Sequence, residues 1–345
     1  MACLVLQACS QPEQNRTAKP GKNNAQHFTL PRNLAGFKHT LFVPSLNHNF
    51  PKRKNVVYTP ALFYGWDIVQ AETGDGISSN SIYLETLNKG GFGHKNALSS
   101  DEAETKVKIT DHEVTIRSSF LKRLVLRSAM DSNLRLRFNR TNVRAFGMQN
   151  FDEFIARQIR ILYYKTDDEF MIRILLDDKG SFAILAKGMS EVPNFDSLIG
   201  NISKNIALGK AASDDTANAW KYELNENDKV TIPAISFNIQ ANYTELQNVQ
   251  FSSHNGSYKI KNATQITGVI INGDGAHQQT TEDDIQVVGD ASEAEHRSQP
   301  QKKAFPAKHL VFDKPFIVLV SEHQLFDPYL IIKIETTELL LAIDK

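Results

Sequence analysis

The chain has 345 residues, in which 39 lysines and arginines are balanced by 39 aspartates and glutamates. This balance gives no reason to expect nucleic acid or an anionic membrane surface as the partner, and no apolar run is long enough to span a bilayer. The length suggests about two domains, although a single α+β domain can be as large. In either case the chain can bury a large hydrophobic core.

The only cysteines, Cys3 and Cys9, lie near the N-terminus. The rest of the chain therefore has neither a disulfide framework nor a thiolate metal site. Residues 6–9 have the form of a bacterial lipoprotein cleavage box, with Cys9 as the lipidation site and residues 10–24 as a polar tether. The apolar stretch is short and no basic residue precedes it, unlike a full signal peptide. The alternative is a frayed terminus with two chance cysteines. We interpret residues 1–26 as a leader and tether and residues 27–345 as the folded domain.

Asparagine triplets give a second indication of export. Six Asn-x-Ser/Thr triplets begin at Asn15, Asn139, Asn201, Asn242, Asn255 and Asn262. They would accept glycans in a eukaryotic secreted protein, although an asparagine-rich chain also produces such triplets by chance. The lipoprotein box and the triplets imply different organisms, but both favour an extracellular or cell-surface location.

Helices are predicted mainly in the N-terminal third. Residues 34–43 have apolar positions at helical spacing. A short strand at 55–58 precedes a second helix, which Thr59 would cap and Pro60 would open. A third helix is predicted within residues 79–90, before a pair of glycines.

Strands dominate the remaining chain. Alternating or β-branched runs lie at 106–109, 114–116, 134–138, 158–165, 168–176, 182–185, 230–239, 266–272 and 309–320. Pro233 falls inside one of these runs, which suggests an edge strand or a bulge there. The last two runs flank a long polar segment, residues 275–307. A loop this long inside a compact domain is usually functional or disordered, and buried flanks would display it as a binding segment.

Several of these segments resemble the serpin family. The resemblance spans roughly residues 34–340, and each motif alone is also an ordinary strand or capped helix. The motifs that carry it are Asn55-Val56, Thr59-Pro60, Gly76 with Ser78, the strands at 158–185, the strand Val230–Ile239 and the run Val311–Phe316. The resemblance implies an α+β fold with mixed and antiparallel sheets, N-terminal helices and an exposed reactive-type loop. A generic α+β domain is the alternative.

The resemblance also implies a mechanism. A serine protease would cut the loop, which would then insert into the large sheet as an extra strand with the acylated protease attached. Insertion requires small side chains at alternate positions of the hinge, because these positions enter the buried face. The hinge residues here are Gly275, Ala276, Gln278, Thr280 and Glu282.

This hinge departs from the alanine- and threonine-rich hinge of the family. If Ala276 points inward, the period of two also points Gln278, Thr280, Glu282 and Asp284 inward. Burial of unpaired carboxylates costs several kcal/mol each. We therefore expect the hinge to oppose insertion.

The middle of the chain departs further from the family pattern. Residues 118–124 look like the family's short helix lying on the sheet. Between Phe138 and Gln158 the family has a helix and a central sheet strand, and neither is recognisable here, which indicates that this region is deleted. Gln265 stands where the family has a histidine in the strand before the hinge.

The position of the bait residue is ambiguous. Family spacing counted forward from Gly275 ends near Gly289, and counted back from Pro315 it ends near Ala304. Arg297, Lys302 and Lys303 are the exposed basic candidates for cleavage. The alternative is that residues 281–303 are an acidic, solvated insertion.

Other chemistries have little support in the sequence. There is no Gly-x-Ser-x-Gly elbow and no His-x-x-x-His pair, and we expect neither an enzyme, a cofactor nor a metal. Four arginines form a strip that could bind a polyanion such as a sulfated glycan, or simply a solvated strand face: Arg135, Arg137, Arg140 and Arg144.

Two function hypotheses follow. The first is a monomeric, extracellular, serpin-like inhibitor of a serine protease, with trapping impaired by its hinge. The alternative is a non-inhibitory extracellular binding protein that keeps the same scaffold.

Overall fold

The computed structural model describes residues 28–90, 103–178, 180–189, 191–277, 305–322 and 328–343. Within these residues there are four α-helices: α1 (Ala61–Thr73), α2 (Ile82–Gly90), α3 (Glu153–Gln158) and α4 (Phe195–Ser213). None of them is both long and apolar enough to cross a bilayer.

Strands are the most frequent regular element of the described chain. In chain order they are β1 (Arg32–Asn33), β2 (Thr40–Phe42), β3 (Asn55–Tyr58), β4 (Ala103–Thr110), β5 (Glu113–Arg123), β6 (Leu126–Ser128), β7 (Asp131–Phe138), β8 (Thr141–Met148), β9 (Ile159–Thr166), β10 (Glu169–Leu175), β11 (Ser181–Lys187), β12 (Lys229–Pro233), β13 (Ile235–Asn242), β14 (Gln250–Ser253), β15 (Gly256–Ile271), β16 (Gly275–His277), β17 (His309–Val311), β18 (Phe316–Glu322) and β19 (Pro328–Ile334). The predicted strands within this set are confirmed, except that the predicted runs 230–239 and 309–320 are each two strands in different sheets.

The strands form three larger sheets and one small one. A six-stranded sheet has the order β1-β13-β15-β5-β4, with β14 paired to β15. A seven-stranded sheet has the order β2-β3-β19-β18-β11-β10-β9, and a four-stranded sheet has the order β17-β12-β8-β7. β16 and β6 form a two-stranded sheet. Parallel and antiparallel pairs occur together, which confirms the predicted α+β class with mixed sheets.

The seven-stranded sheet is buried on both faces. Along β18, Val318 and Val320 belong to one hydrophobic cluster, whereas Ile317 and Leu319 belong to a second. The first cluster is shared with the other sheets, and the second is closed by α1 and α4. A strand that is buried on both faces has a continuous apolar run in its sequence. This explains why apolar and polar residues do not alternate along β18.

Helix α1 packs directly against the six-stranded sheet. A Cβ atom placed at Gly65 would lie 2.4 Å from the Cγ2 atom of Ile116 on β5. Only glycine permits so close an approach. Gly65 therefore sets the helix-to-sheet spacing beneath β4 and β5.

The predicted helix at 34–43 is wrong. Residues 34–36 form one 3-10 turn, and β2 then pairs with β3 in parallel. The Glu338 carboxylate accepts hydrogen bonds from the backbone N–H groups of Lys38 and His39, at 3.0 and 2.9 Å. These distant contacts hold the segment extended against its local periodicity.

The expected N-cap of α1 is also wrong. Pro60 occupies the N-cap position, and no side chain caps the helix there. The Thr59 hydroxyl instead accepts a hydrogen bond from the Nε2 atom of Gln265, at 2.8 Å. A partner on the neighbouring sheet has replaced the local capping interaction.

The expected helix at 118–124 is wrong as well, whereas the deletion expected between Phe138 and Gln158 stays a prediction. Residues 118–123 continue β5, whose alternate residues from Val114 to Lys122 are buried. β5 lies inside the six-stranded sheet, between β15 and β4. The buried Ser118 and Lys122 disguised the apolar alternation, because both positions read as polar in the sequence.

The run 230–239 is two strands in different sheets. β12 belongs to the four-stranded sheet and β13 to the six-stranded sheet. Ala234 lies between them and donates its backbone N–H to Arg144 O, at 2.9 Å. Pro233 thus marks the corner at which the chain changes sheets, rather than a bulge within one strand.

Candidate functional site: the two roots of the polar loop

The polar loop, residues 278–304, is flanked by two described stretches that we call its roots: residues 274–277 on the N-terminal side and residues 305–308 on the C-terminal side. The N-terminal root pairs with β6. After β15 the chain turns at residues 272–274, and β16 pairs with β6 in parallel, with Gly275 opposite Leu126. The backbone N–H of Leu126 donates to Asp274 O at 2.8 Å. A Cβ atom at Gly275 would lie 2.0 Å from the amide nitrogen of Ala129. This position therefore requires glycine because β6 approaches so closely.

The C-terminal root is held by a buried ion pair. Lys308 Nζ lies 2.7 Å from Asp228 Oδ2, and both side chains are 0% exposed. The same carboxylate accepts the backbone N–H of Lys308 through Oδ1, at 2.7 Å. Lys308 Nζ also donates to Trp220 O at 3.1 Å, and the Phe305 ring stacks on Trp220 with centroids 5.3 Å apart. The chain is thus fixed as soon as it leaves the loop.

A second buried lysine secures the strand that follows. Lys187 Nζ lies 2.7 Å from Asp313 Oδ1 and 3.0 Å from Asp168 Oδ1, and it donates to Val311 O at 2.8 Å. Lys314 Nζ forms a salt bridge with Asp168 Oδ2 at 2.8 Å on the solvent-exposed side. The ammonium groups of Lys314 and Lys187 lower the pKa of the Asp168 carboxyl. The role of Asp168 at this root depends on contacts that sequence spacing does not reveal.

Most of the sequence-predicted site residues lie outside the described residues. Gly275 and Ala276 are described, and the Ala276 side chain is exposed. The inward direction assigned to Ala276 concerns an inserted strand and stays a prediction. The remaining candidates lie outside the described part of the chain: Cys9, Gln278, Thr280, Glu282, Asp284, Gly289, Arg297, Lys302, Lys303 and Ala304.

The seam between β15 and β5 in the six-stranded sheet is closed. β15 and β5 pair directly in parallel, from Lys259 opposite Glu113 to Ile270 opposite Arg123. Each backbone hydrogen bond contributes about 0.5–1.5 kcal/mol net. Opening the seam therefore requires a compensating gain of comparable size.

A buried polar network lies beneath this seam. Gln265 on β15 is 1% exposed, and its Nε2 atom donates to the hydroxyls of Thr59 and Thr267 at 2.8 and 2.9 Å. Its Oε1 atom accepts from the Tyr243 hydroxyl at 3.2 Å, and burial raises the pKa of Tyr243, which keeps this hydroxyl a neutral donor. The network joins the start of α1 to β15, so a separation of these elements leaves buried polar groups unsatisfied.

The predicted arginine strip is formed by the β7–β8 hairpin. Arg135 lies directly opposite Arg144 in this antiparallel pair, and Arg137 lies two residues further along β7. Arg140 lies in the connecting turn with a φ of 75°. All four side chains are exposed, so the strip is a surface feature whose partner stays a prediction.

No family model matches the sequence, and no curated protein matches it either. Solved serpin structures are similar to the chain. A tumour-suppressing serpin is 13% identical with a TM-score of 0.35, and 65% of this chain and 56% of that chain are covered. SRPN18 from Anopheles gambiae is 9% identical with a TM-score of 0.38, covering 67% and 57%. Uncleaved ovalbumin is 9% identical with a TM-score of 0.36, covering 65% and 54%.

The chain thus spans a little over half of the length of these serpins. They belong to the family that the sequence motifs resemble. TM-scores this far below 0.5, at such identities, are too low to transfer an activity, a partner or a residue role from a serpin to this chain.

Proposed function

We propose that this chain is a serpin-like protein that presents residues 278–304 to a serine protease, and that trapping by strand insertion is impaired. One observation carries the proposal: both roots of this segment are fastened to a rigid body. β16 is paired with β6 at one end, and Lys308 is buried against Asp228 at the other. A segment held in this way can be bound and cut while the body stays folded.

Insertion would convert one parallel ladder into two antiparallel ladders. The incoming strand would turn back after Gly275 and lie antiparallel to both β15 and β5. Antiparallel pairing is slightly more stable per residue than parallel pairing. Against this gain stand the loss of the existing β15–β5 ladder and the disruption of the Gln265 network.

The side chains of the hinge make strand insertion unfavourable. In an inserted strand, Gln278, Glu282 and Asp284 would enter the buried face together. Each buried and unpaired carboxylate costs several kcal/mol, which rivals the total stability of a typical domain. The same polar hinge favours the second candidate function, a non-inhibitory extracellular binding protein.

A panel of serine proteases tests the proposal directly. We expect at least one protease to cut the loop while the body stays intact, without a stoichiometric SDS-resistant complex at neutral pH. Denaturing gels and mass spectrometry report both outcomes. A stoichiometric covalent complex would show that trapping is intact. Resistance to every protease in the panel would favour the binding protein.

Limited digestion with trypsin is expected to cut first between Arg297 and Lys303. This segment is polar and basic, as preferred nicking sites are, and Pro300 within it and Pro306 after it oppose regular strand structure. Mass spectrometry of the earliest fragments identifies the cut. A variant with glutamine at 297, 302 and 303 serves as the control and should lose the early fragments. Early cuts within the described strands, with the loop intact, would contradict the prediction.

A further inference from the structure

Two arginines face each other on the seven-stranded sheet. Arg160 on β9 lies directly opposite Arg173 on the neighbouring strand β10. Side chains directly opposite in an antiparallel pair are close neighbours, and like charges there are destabilising. Within the described residues, neither guanidinium has a carboxylate partner, and the only charged group that perturbs the pKa of Arg173 is Arg160. The pair thus concentrates positive charge without local compensation.

Arg173 is also partly buried. Its Nε atom is buried and has no hydrogen-bond partner. Ile184 lies opposite it on β11, and the Phe182 ring centroid lies 5.8 Å from its guanidinium carbon. Burial and the neighbouring Arg160 lower the pKa of Arg173. The guanidinium therefore has an apolar wall on one side and a like charge on the other.

The fully buried cations of the described chain all have carboxylate partners, unlike the partly buried Arg173. Four lysines are buried, and each has a carboxylate within salt-bridge distance: Lys122 with Asp178, Lys187 with Asp168 and Asp313, Lys308 with Asp228, and Lys333 with Glu335. A buried charge without a partner is costly. Arg173 lacks what these four lysines have, which indicates an anion from outside the chain.

We propose that Arg160 and Arg173 bind a compact tetrahedral oxyanion, either inorganic phosphate or sulfate or the same group carried as an ester on a ligand. The planar guanidinium presents fixed donors that match such oxygens in pairs. A doubly charged anion between the two arginines neutralises both. A halide offers a single charge and no set of directed oxygens.

Thermal melts of the full chain test this site. Inorganic sulfate and inorganic phosphate should each raise the Tm by roughly 2–4 °C at about ten times the Kd, relative to sodium chloride of equal ionic strength. Arg160→Gln and Arg173→Gln should each abolish this rise. Without an oxyanion, Arg160→Gln should melt at or above the temperature of the parent chain, because it removes a repulsion from an exposed position. If Arg160 had a purely structural role, Arg160→Gln would instead lower the Tm in the absence of an oxyanion.

An exposed arginine outside both arginine clusters supplies the control. Arg157 on α3 is paired with Glu153 at 2.6 Å, so Arg157→Gln should keep the full response to sulfate. An equal rise in chloride, or an undiminished rise in Arg160→Gln, would overturn the proposal. Calorimetric titration with glucose 6-phosphate distinguishes a site for the free inorganic anion from a site for the same group carried as an ester. Binding as tight as that of inorganic phosphate supports an open site for an esterified ligand, and much weaker binding supports a site for the free ion.

Discussion

Replacement of Asp228 by asparagine is expected to lower the free energy of unfolding by about 3–5 kcal/mol. The amide keeps the shape of the carboxylate and can still accept the backbone N–H of Lys308. It cannot neutralise the Lys308 ammonium, which is 0% exposed. Removal of one partner of a buried ion pair leaves an uncompensated charge in a low-dielectric interior. Urea denaturation of both proteins measures the difference.

An exposed ion pair provides the control for this substitution. Glu104→Gln breaks the pair between Glu104 and Lys106, whose charged atoms are 2.7 Å apart on the surface of β4. Exposed pairs contribute about 0–1 kcal/mol, so this variant should stay close to the parent chain. The double variant Asp228→Leu with Lys308→Met should recover most of the loss, because an apolar replacement of a buried pair is often neutral. A loss below 1 kcal/mol on Asp228→Asn would show that the pair does not anchor this root.

Cleavage of the loop is expected to stabilise the protein strongly only after the hinge has been changed. In the variant Gln278→Thr, Glu282→Ala and Asp284→Ala, trypsin cleavage should raise the Tm by more than about 10 °C, whereas the cleaved parent chain should change little at neutral pH. The substitutions remove the carboxylates and the amide that oppose insertion. β5 lies next to β15, so the incoming strand has a partner on each side. Thermal melts before and after cleavage give the result.

The matched control changes the alternate hinge positions. Gln279→Thr, Thr281→Ala and Asp283→Ala should leave the cleaved protein unchanged, because these side chains would face outward in an inserted strand. Acid pH should reproduce part of the effect in the cleaved parent chain. Burial raises the pKa of a carboxyl above its unfolded value, so the inserted state gains relative stability as pH falls and the groups become neutral.

Either of two results would contradict this account of the hinge. A rise of tens of degrees in the cleaved parent chain at neutral pH would show that these carboxylates do not block insertion, and would support an intact inhibitor. No rise in the substituted chain would place the obstacle in the body instead. The β15–β5 ladder and the Gln265 network are then the elements to weaken next.

Local patterns predicted the elements whose neighbours reinforce them. The strands β9, β10 and β11 are confirmed because their apolar or alternating runs agree with the layers that bury them. Helix α1 is confirmed for the same reason, as its apolar residues face the core. The apolar runs on the two sides of the polar loop are also confirmed as strands, with β15 before β16 on one side and β17 and β18 on the other.

Patterns failed where a distant contact overrode the local preference. Residues 34–43 have helical spacing, yet Glu338 holds their backbone extended from 299 residues away. Residues 118–123 resemble a short helix in the sequence, yet they continue β5, because Lys122 is compensated by Asp178 in the turn between β10 and β11.

The sequence by itself determined the α+β class, the run of strands and the polar segment between two apolar flanks. These features depend on the alternation of side chains along one strand, which any reader of the sequence can count. Only the tertiary structure decided how the site is held together. Asp228 and Lys308 are 80 residues apart, and Arg160 faces Arg173 because of the register of two strands. Register and sheet order come from packing across the whole core, so no local pattern could have placed these charges together.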